Sequence, residues 1–188
     1  MKFDDLVHYD FLHTEDITNS FEKALIADDV FSILKEAYTN VEGGLHFKNS
    51  DELICKTSLW RVIYYNATIV GVVVYKSKNG LKMVALALAN FCNKSIKNYT
   101  KQMLSFIFKL TFNNSWMEVS EAAEKFILKN GGEKYLVPNK YAAKLTKKDI
   151  LELCDDGYHY KREINGIIKT KVIIGNPKFK VARTNMSS

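Results

Sequence analysis

Proline is scarce in this chain: two stand in 188 residues, Pro138 and Pro177. With no Pro/Ser-rich linker, repeat or low-complexity run, the length reads as a single domain over residues 1–188. Cysteine is nearly as rare. Cys55, Cys92 and Cys154 are odd in number and far apart, which argues against a disulfide framework or a zinc site and for buried thiols in a reducing compartment. No stretch approaches the roughly 18 consecutive apolar residues of a membrane-crossing helix. The opening MKFDDLVHYDFLHTED is acidic and lacks the apolar core of a secretory signal, so the expected location is the cytoplasm. Several chemical signatures are missing too. His8, His13, His46 and His159 lack the H-x-x-x-H spacing of metal ligands, so no metal is expected. There is no G-x-S-x-G elbow, and VEGGLHFKNS has two glycines but no G-K-[ST] of a phosphate-binding loop.

What is present suits a packed mixed fold, since 47% of the residues are hydrophobic. Residues 1–19 carry no regular pattern and are expected to be irregular, ahead of a core over 20–175 and a basic tail over 176–188. From Ser20 to Tyr38 apolar residues recur at helical spacing (Phe21, Leu25, Val30, Phe31, Leu34, Ala37), and Asp28-Asp29 is placed to cap a second helix. A β meander follows: WRVIYY (60–65), ATIVGVVVYKS (67–77) and LKMVALALAN (81–90), with Asn66 at the first turn and Asn79-Gly80 at the second. The second and third of these strands are apolar almost throughout, as strands covered on both faces should be.

After residue 98 the period becomes helical in YTKQMLSFIFKLTF. SWMEVS (115–120) reads as a strand, and SEAAEKFILKNGG as a helix capped by Ser120 and stopped by Gly131-Gly132. A short helix is predicted around LTKKDILEL, with Thr146 and Asp149 as an approximate capping box. GYHYKREINGIIKTKVIIG (157–175) is a hairpin whose Asn165-Gly166 pair fits a type I′ turn. The fold class is therefore α/β of the α+β kind. Its mixed, mostly antiparallel central sheet is built from the meander, a helix, a strand, a second helix and the C-terminal hairpin, with helices flanking it.

The charge is uneven. Residues 1–30 hold eight acids against Lys2 and Lys23, while 161–188 hold seven bases (Lys161, Arg162, Lys169, Lys171, Lys178, Lys180, Arg183) against Glu163 alone. The net charge of +6 thus lies in the last hairpin and tail. Such a region suits a phosphate-bearing partner, or a solvated edge strand that lysines guard against aggregation.

This order of elements resembles the GNAT superfamily of N-acyltransferases over roughly residues 20–175. In VSEAAEKFILKNGG, Ala123, Lys129 and Gly131 are placed as in that family's strand-to-helix motif, with Ser120 at the usual Asn and Ile127 at the usual Tyr, often the general acid. The ending GYHYKREINGIIKTKVIIG is similar to uncharacterised phage-borne members of the fold. The family's glycine-rich pyrophosphate loop has a degenerate counterpart here, NFCNKSIKNYTKQML, which has no glycine. It offers Lys94, Ser95, Lys97, Thr100 and Lys101 instead, and no acid lies between Asn90 and Met117.

The resemblance implies acyl transfer from acetyl-CoA to an amine, with the cofactor held by Leu86, Leu88, Lys94, Ser95, Lys97, Thr100, Lys101 and Ser120. It also implies a base, for which Glu118 is the candidate, and an acid that protonates the leaving thiolate, for which Tyr158 and His159 are candidates. Trp60 and Trp116 read as core anchors. Two other functions stay open: a catalytically silent GNAT-fold domain that binds a protein, for instance a phage-encoded modulator of its host, and a weak nucleic-acid binder. The last would use the basic hairpin, with Tyr158, Tyr160 and Phe179 as stacking faces.

Overall fold

The computed structural model describes residues 7–41, 44–77, 81–90, 94, 98, 102, 105, 115–137 and 150–175. The chain forms two compact units: Met1–Ser77 with Met83–Phe108, and Lys78–Lys82 with Lys109–Ser188.

The first unit pairs β1 (Val7–His13), β2 (Leu59–Tyr65), β3 (Thr68–Ser77) and β4 (Leu81–Leu88) in that order, except that Leu81 and Lys82 at the start of β4 belong to the second unit. β1 corrects the irregular reading of residues 1–19. Its main chain runs antiparallel to β2, Val7 opposite Tyr65 and His13 opposite Leu59. The pattern VHYDFLH is too short and polar to announce a strand alone; β2 supplies the ladder that its N–H and C=O groups need. The β2–β3 turn uses Asn66 and Ala67, both at positive φ (49° and 62°), as a type I′ turn requires. β3 is buried from Ile69 to Tyr75, but β4 alternates: Met83, Ala85 and Ala87 are buried while Lys82, Val84, Leu86 and Leu88 are half-buried. The expected Asn79-Gly80 turn lies outside the described residues.

Two helices complete this unit. α1 (Ser20–Tyr38) is continuous through Asp28-Asp29, so the predicted second cap there is not used. Its cap is Asn19, whose side-chain oxygen accepts from the Phe21 and Glu22 amides at 3.0 and 3.1 Å. The buried stripe is Ala27, Val30, Ile33 and Leu34. Phe21 (72% exposed) and Leu25 lie instead on the stripe of Asp28, Asp29 and Ser32, in solvent, because i, i+4 spacing carries them round to that face. α2 (Ser50–Lys56) escaped the sequence reading. Asn49 caps it, accepting from Glu52 N at 2.9 Å, and Glu52 reaches back to Lys48 N at 3.0 Å. Trp60 is wholly buried and its indole N–H donates to Thr57 Oγ1 at 2.8 Å. Cys55, expected buried, is exposed on α2, and Cys154 is half-buried.

Most of the segment predicted as a helix, residues 99–112, lies outside the described residues, among which Lys94, Asn98, Gln102 and Ser105 are helical. No helix among the described residues is long and apolar enough to cross a membrane.

In the second unit β5 (Ser115–Ser120), β9 (Ile167–Gly175), β8 (His159–Ile164) and β7 (Ile150–Leu153) lie side by side in that order, all antiparallel. The two-residue β6 (Glu133–Lys134) pairs with the end of β9. The β8–β9 turn is Asn165-Gly166, with φ of 52° and 77°, as the residues implied. β7 is a correction: Ile150–Leu153 lies in a predicted helix, but Ile150, Glu152 and Leu153 pair with Arg162, Lys161 and Tyr160. The open side of β8 offers a ladder that outweighs the local helical pattern. Residues 141–149, with the Thr146–Asp149 box, lie outside the described residues.

α3 (Glu121–Lys129) follows β5 directly. Ser120 stands at its cap position as read, but its side chain makes no capping hydrogen bond. The helix ends as Gly131 N donates to Leu128 O and Gly132 N to Ile127 O, at 3.2 and 3.1 Å. Trp116, Tyr135, Val137, Tyr160 and Ile173 form the buried cluster of this unit.

Candidate functional site

Alternation divides the candidate residues of the second unit between the two faces of its sheet. On β5, Trp116, Glu118 and Ser120 share a face. The register continues that face across the strands: Ser120 lies opposite Lys171, Lys171 opposite Tyr160, and Lys169 opposite Arg162. His159, next to Tyr160, therefore points to the other face, where α3 supplies Glu124.

Glu118 is the centre of the first face. Its side chain is 7% exposed. The Tyr160 hydroxyl donates to Glu118 Oε2 at 2.6 Å, Arg162 Nη1 donates to Oε1, and Lys82 Nζ lies 4.0 Å from Oε1. Lys82 also stands over the Trp116 ring, 4.9 Å from its centroid. Burial works against the charge on Glu118, but Lys82, the Tyr160 hydroxyl, Arg162 and Lys171 outweigh it and hold the carboxyl below its ordinary pKa. Tyr160 answers in the opposite sense: burial first, then the Glu118 charge and hydrogen bond, push its hydroxyl far up. Burial also depresses the pKa of Lys171; Glu118 opposes that shift, while Lys169 and Arg162 add to it.

On the other face His159 bridges two carboxylates. Its Nε2 meets Glu124 Oε2 at 2.9 Å and its Nδ1 meets Asp156 Oδ2. Both nitrogens donate only in the imidazolium, and the hydrogen bond to Glu124, aided by Asp156, raises the pKa above its ordinary value against a smaller opposing effect of burial. Asp156 Oδ1 accepts from the Tyr158 and His159 amides, each at 2.9 Å. Those amides and the imidazole lower the Asp156 carboxyl to about 2. Lys134 joins the group, 3.4 Å from Glu124 and 5.3 Å from the Tyr158 ring centroid.

Tyr158 and His159 are thus brought together around Lys134 and Glu124, while Glu118 belongs to a separate network. Of the proposed cofactor contacts, Lys94 is exposed and helical, and Ser120 is half-buried. Leu86 N–H donates to the hydroxyl of half-buried Tyr38 at 3.4 Å, and Leu88 is half-buried on the same face of β4 as Leu86. Ser95, Lys97, Thr100 and Lys101 lie outside the described residues. Among the described residues no group of His, Cys, Asp and Glu is arranged to hold a metal.

The sequence reading missed Lys82, Tyr160, Arg162 and Lys171 as partners of Glu118, and Glu124 and Asp156 as partners of His159. One available signal was the alternation in IIKTKVIIG, which puts Lys169, Lys171 and Ile173 on one face. The lysine-guarded edge is corrected at the same place. β9 has β5 on one side and β8 and β6 on the other, so it is not an edge, and Lys171 is buried. A groove of about 270 Å³ in the first unit, floored by Phe31, Tyr38 and Phe47 with Lys35 and Lys48 alongside, also went unread.

No protein-family model matches the chain, and no curated protein matches it. Solved structures do. An N-acetyltransferase from Staphylococcus aureus Mu50 superposes with a TM-score of 0.53 at 10% identity, over 91% of this chain and 97% of the other. A probable acetyltransferase from Staphylococcus epidermidis gives 0.51 at 12%, over 90% and 97%. The ribosomal-protein-S18-alanine N-acetyltransferase from Escherichia coli gives 0.50 at 12%, over 92% and 94%. The fold is that of the GNAT acetyltransferases. On this GNAT fold Ile127, which stands where the resemblance puts a tyrosine acid, is wholly buried in α3. That position therefore serves packing here.

Proposed function

We propose that this protein is a divergent CoA-dependent N-acyltransferase, one domain that moves an acyl group from acetyl-CoA to an amine. The observation that carries the reading is the fold, shared with acetyltransferases over about nine-tenths of the chain. The exposed Lys94 and the acid-free stretch around it support phosphate binding, with Ser95, Lys97, Thr100 and Lys101 adding cations and hydroxyls. Leu86, Leu88 and Ser120 are the further proposed contacts. The neutral amine nitrogen attacks the thioester carbonyl and gives up a proton to solvent, the C–S bond breaks, and the departing sulfur takes a proton. His159 is the proposed donor of that proton, since the hydrogen bonds to Glu124 and Asp156 favour its protonated form, and Tyr158 stands beside it. Glu118 enters as the anchor of Tyr160 and Arg162, because a carboxylate held below its ordinary pKa is a poor proton acceptor.

Acetyl-CoA should raise the melting temperature, as any ligand of the native state must, by an amount equivalent to about 2.7 kcal/mol at a hundred times Kd. Charge reversal at Lys94, Lys97 and Lys101 should abolish that shift while the ligand-free protein melts as before. A second reading, a catalytically silent GNAT-fold binding domain, draws support from the hydrogen bonds and ion pairs that already occupy Glu118 and His159. It takes over if saturating acetyl-CoA produces no shift.

A further inference from the structure

One cation in the second unit has no evident structural reason. Lys171 is 8% exposed, and among the described residues its ammonium makes neither hydrogen bond nor ion pair. It lies in the middle of β9, between Ser120 and Tyr160, with Arg162 and Lys169 as like-charged neighbours on the same face. The stem is buried while the ammonium keeps some contact with solvent, so its charge is partly dehydrated and no close partner offsets that cost. Glu118 is the described acid near it, but Glu118 already accepts from Tyr160 and Arg162, with Lys82 close by. A methionine would fill the same space at no such cost, so packing alone does not explain a lysine here.

Lys82 and Arg162 make the place reachable, their side chains being 13% and 24% exposed. The face therefore has the ammonium of a largely buried lysine, two further cations beside it and the Ser120 hydroxyl, while the Tyr160 hydroxyl already donates to Glu118. This is the donor set that a compact oxyanion needs: several N–H groups, partly desolvated, where each charge-assisted bond counts most. We propose that this face binds a carboxylate or phosphate carried by the amine that accepts the acyl group, with Lys171 as its anchor and Lys82 and Arg162 at the mouth. The acceptor would then be a small anionic amine. The anion site stands on the cluster itself; its assignment to the acceptor rests on the acyltransferase reading.

The test measures melting temperature with sodium phosphate and sodium succinate, each against sodium chloride at matched ionic strength. At least one anion should stabilise the wild type beyond chloride; a response to phosphate alone points to a phosphorylated acceptor, and to succinate alone to a carboxylate. K171M should melt no lower than wild type without ligand, because a partly dehydrated and unpaired charge has been removed. Its anion affinity should fall roughly tenfold or more. K82M should weaken binding in the same direction, and decides the matter if K171M does not fold. The K94E/K97E/K101E variant should keep the anion response while losing the acetyl-CoA response. The proposal is overturned if chloride stabilises as well as both anions, if K171M responds like wild type, or if the triple variant loses the anion response. An anion response without an acetyl-CoA response keeps the site and removes the acyltransferase reading; the reverse removes the site and keeps the enzyme.

Discussion

At the scale of single residues the second unit is governed by two ionic arrangements with opposite titration. Glu118 is buried and held below its ordinary pKa. Its contribution to stability is present above the unfolded carboxyl value, about 4.3, and is lost as the pH falls through the lower folded value. E118Q removes the charge that Arg162, Lys82 and Lys171 face, and should cost about 3 kcal/mol at neutral pH, read by urea unfolding. The difference from wild type should shrink in acid. An unchanged midpoint would mean that the cluster is balanced from elsewhere. His159 runs the other way. Its raised pKa stabilises the fold fully below the ordinary imidazole value, about 6.5, and that contribution fades as the pH rises through the folded value. An NMR titration of the His159 ring should place its pKa above 6.5, and E124Q should bring it down. No movement in E124Q would show that the Glu124 contact does not set the shift.

The elements are punctuated by backbone geometry that two glycines, one in the β8–β9 turn and one at the end of β9, illustrate separately. Gly166 sits at φ +77° with nothing within 4 Å of where a Cβ would lie. Its substitution therefore tests conformation alone, and G166V should cost about 1–2 kcal/mol. Gly175 is a matter of space: a methyl there would meet the Tyr135 hydroxyl oxygen at 2.5 Å and the ring carbon at 2.7 Å. Tyr135 is buried in the cluster with Trp116 and Tyr160, so it cannot swing aside freely. G175A should lower stability by about 1–3 kcal/mol through overpacking. It should also change the near-ultraviolet circular dichroism, which G166V should leave alone. Similar spectra for both variants would contradict this separation of causes.

For the molecule as a whole, the positive charge of the described C-terminal hairpin does not amount to a basic surface. Arg162 is bonded to Glu118, Lys161 to Glu152 at 2.9 Å, and Lys171 is buried. Polyanion binding scales with the cations free to neutralise phosphates, and the hairpin has few to offer. A chain ending at Gly175, which lacks Lys178, Lys180 and Arg183, should therefore melt like the full chain, respond equally to acetyl-CoA, and show no measurable affinity for duplex DNA at physiological salt. Retained DNA affinity with a steep salt dependence would return the hairpin to a nucleic-acid role.

Local chemistry was enough to read the elements whose signals lie within a few residues. The Asn165-Gly166 hairpin, the β2–β3 ribbon around Asn66, the strand SWMEVS and the helix that Gly131-Gly132 closes all depend on turn geometry, alternation or helical period, which short windows contain. The burial of Trp60 and Trp116 follows from the same patterns. β1 and β7 were not legible this way, because each is a strand only by virtue of a neighbour: β2, far away in the chain, and β8, close in sequence but offering a ladder that overrides the helical spacing of residues 150–153. The candidate site was half legible for the same reason. Glu118, Tyr158 and His159 stood out as residue types, but whether Glu118 is solvated or clamped depends on Tyr160 and Arg162, more than 40 residues away. Lys171 looked like a surface charge until register set it between Ser120 and Tyr160. Side-chain periodicity is a property of the chain, whereas the dielectric around a charge and the partners it meets are properties of the packed sheet.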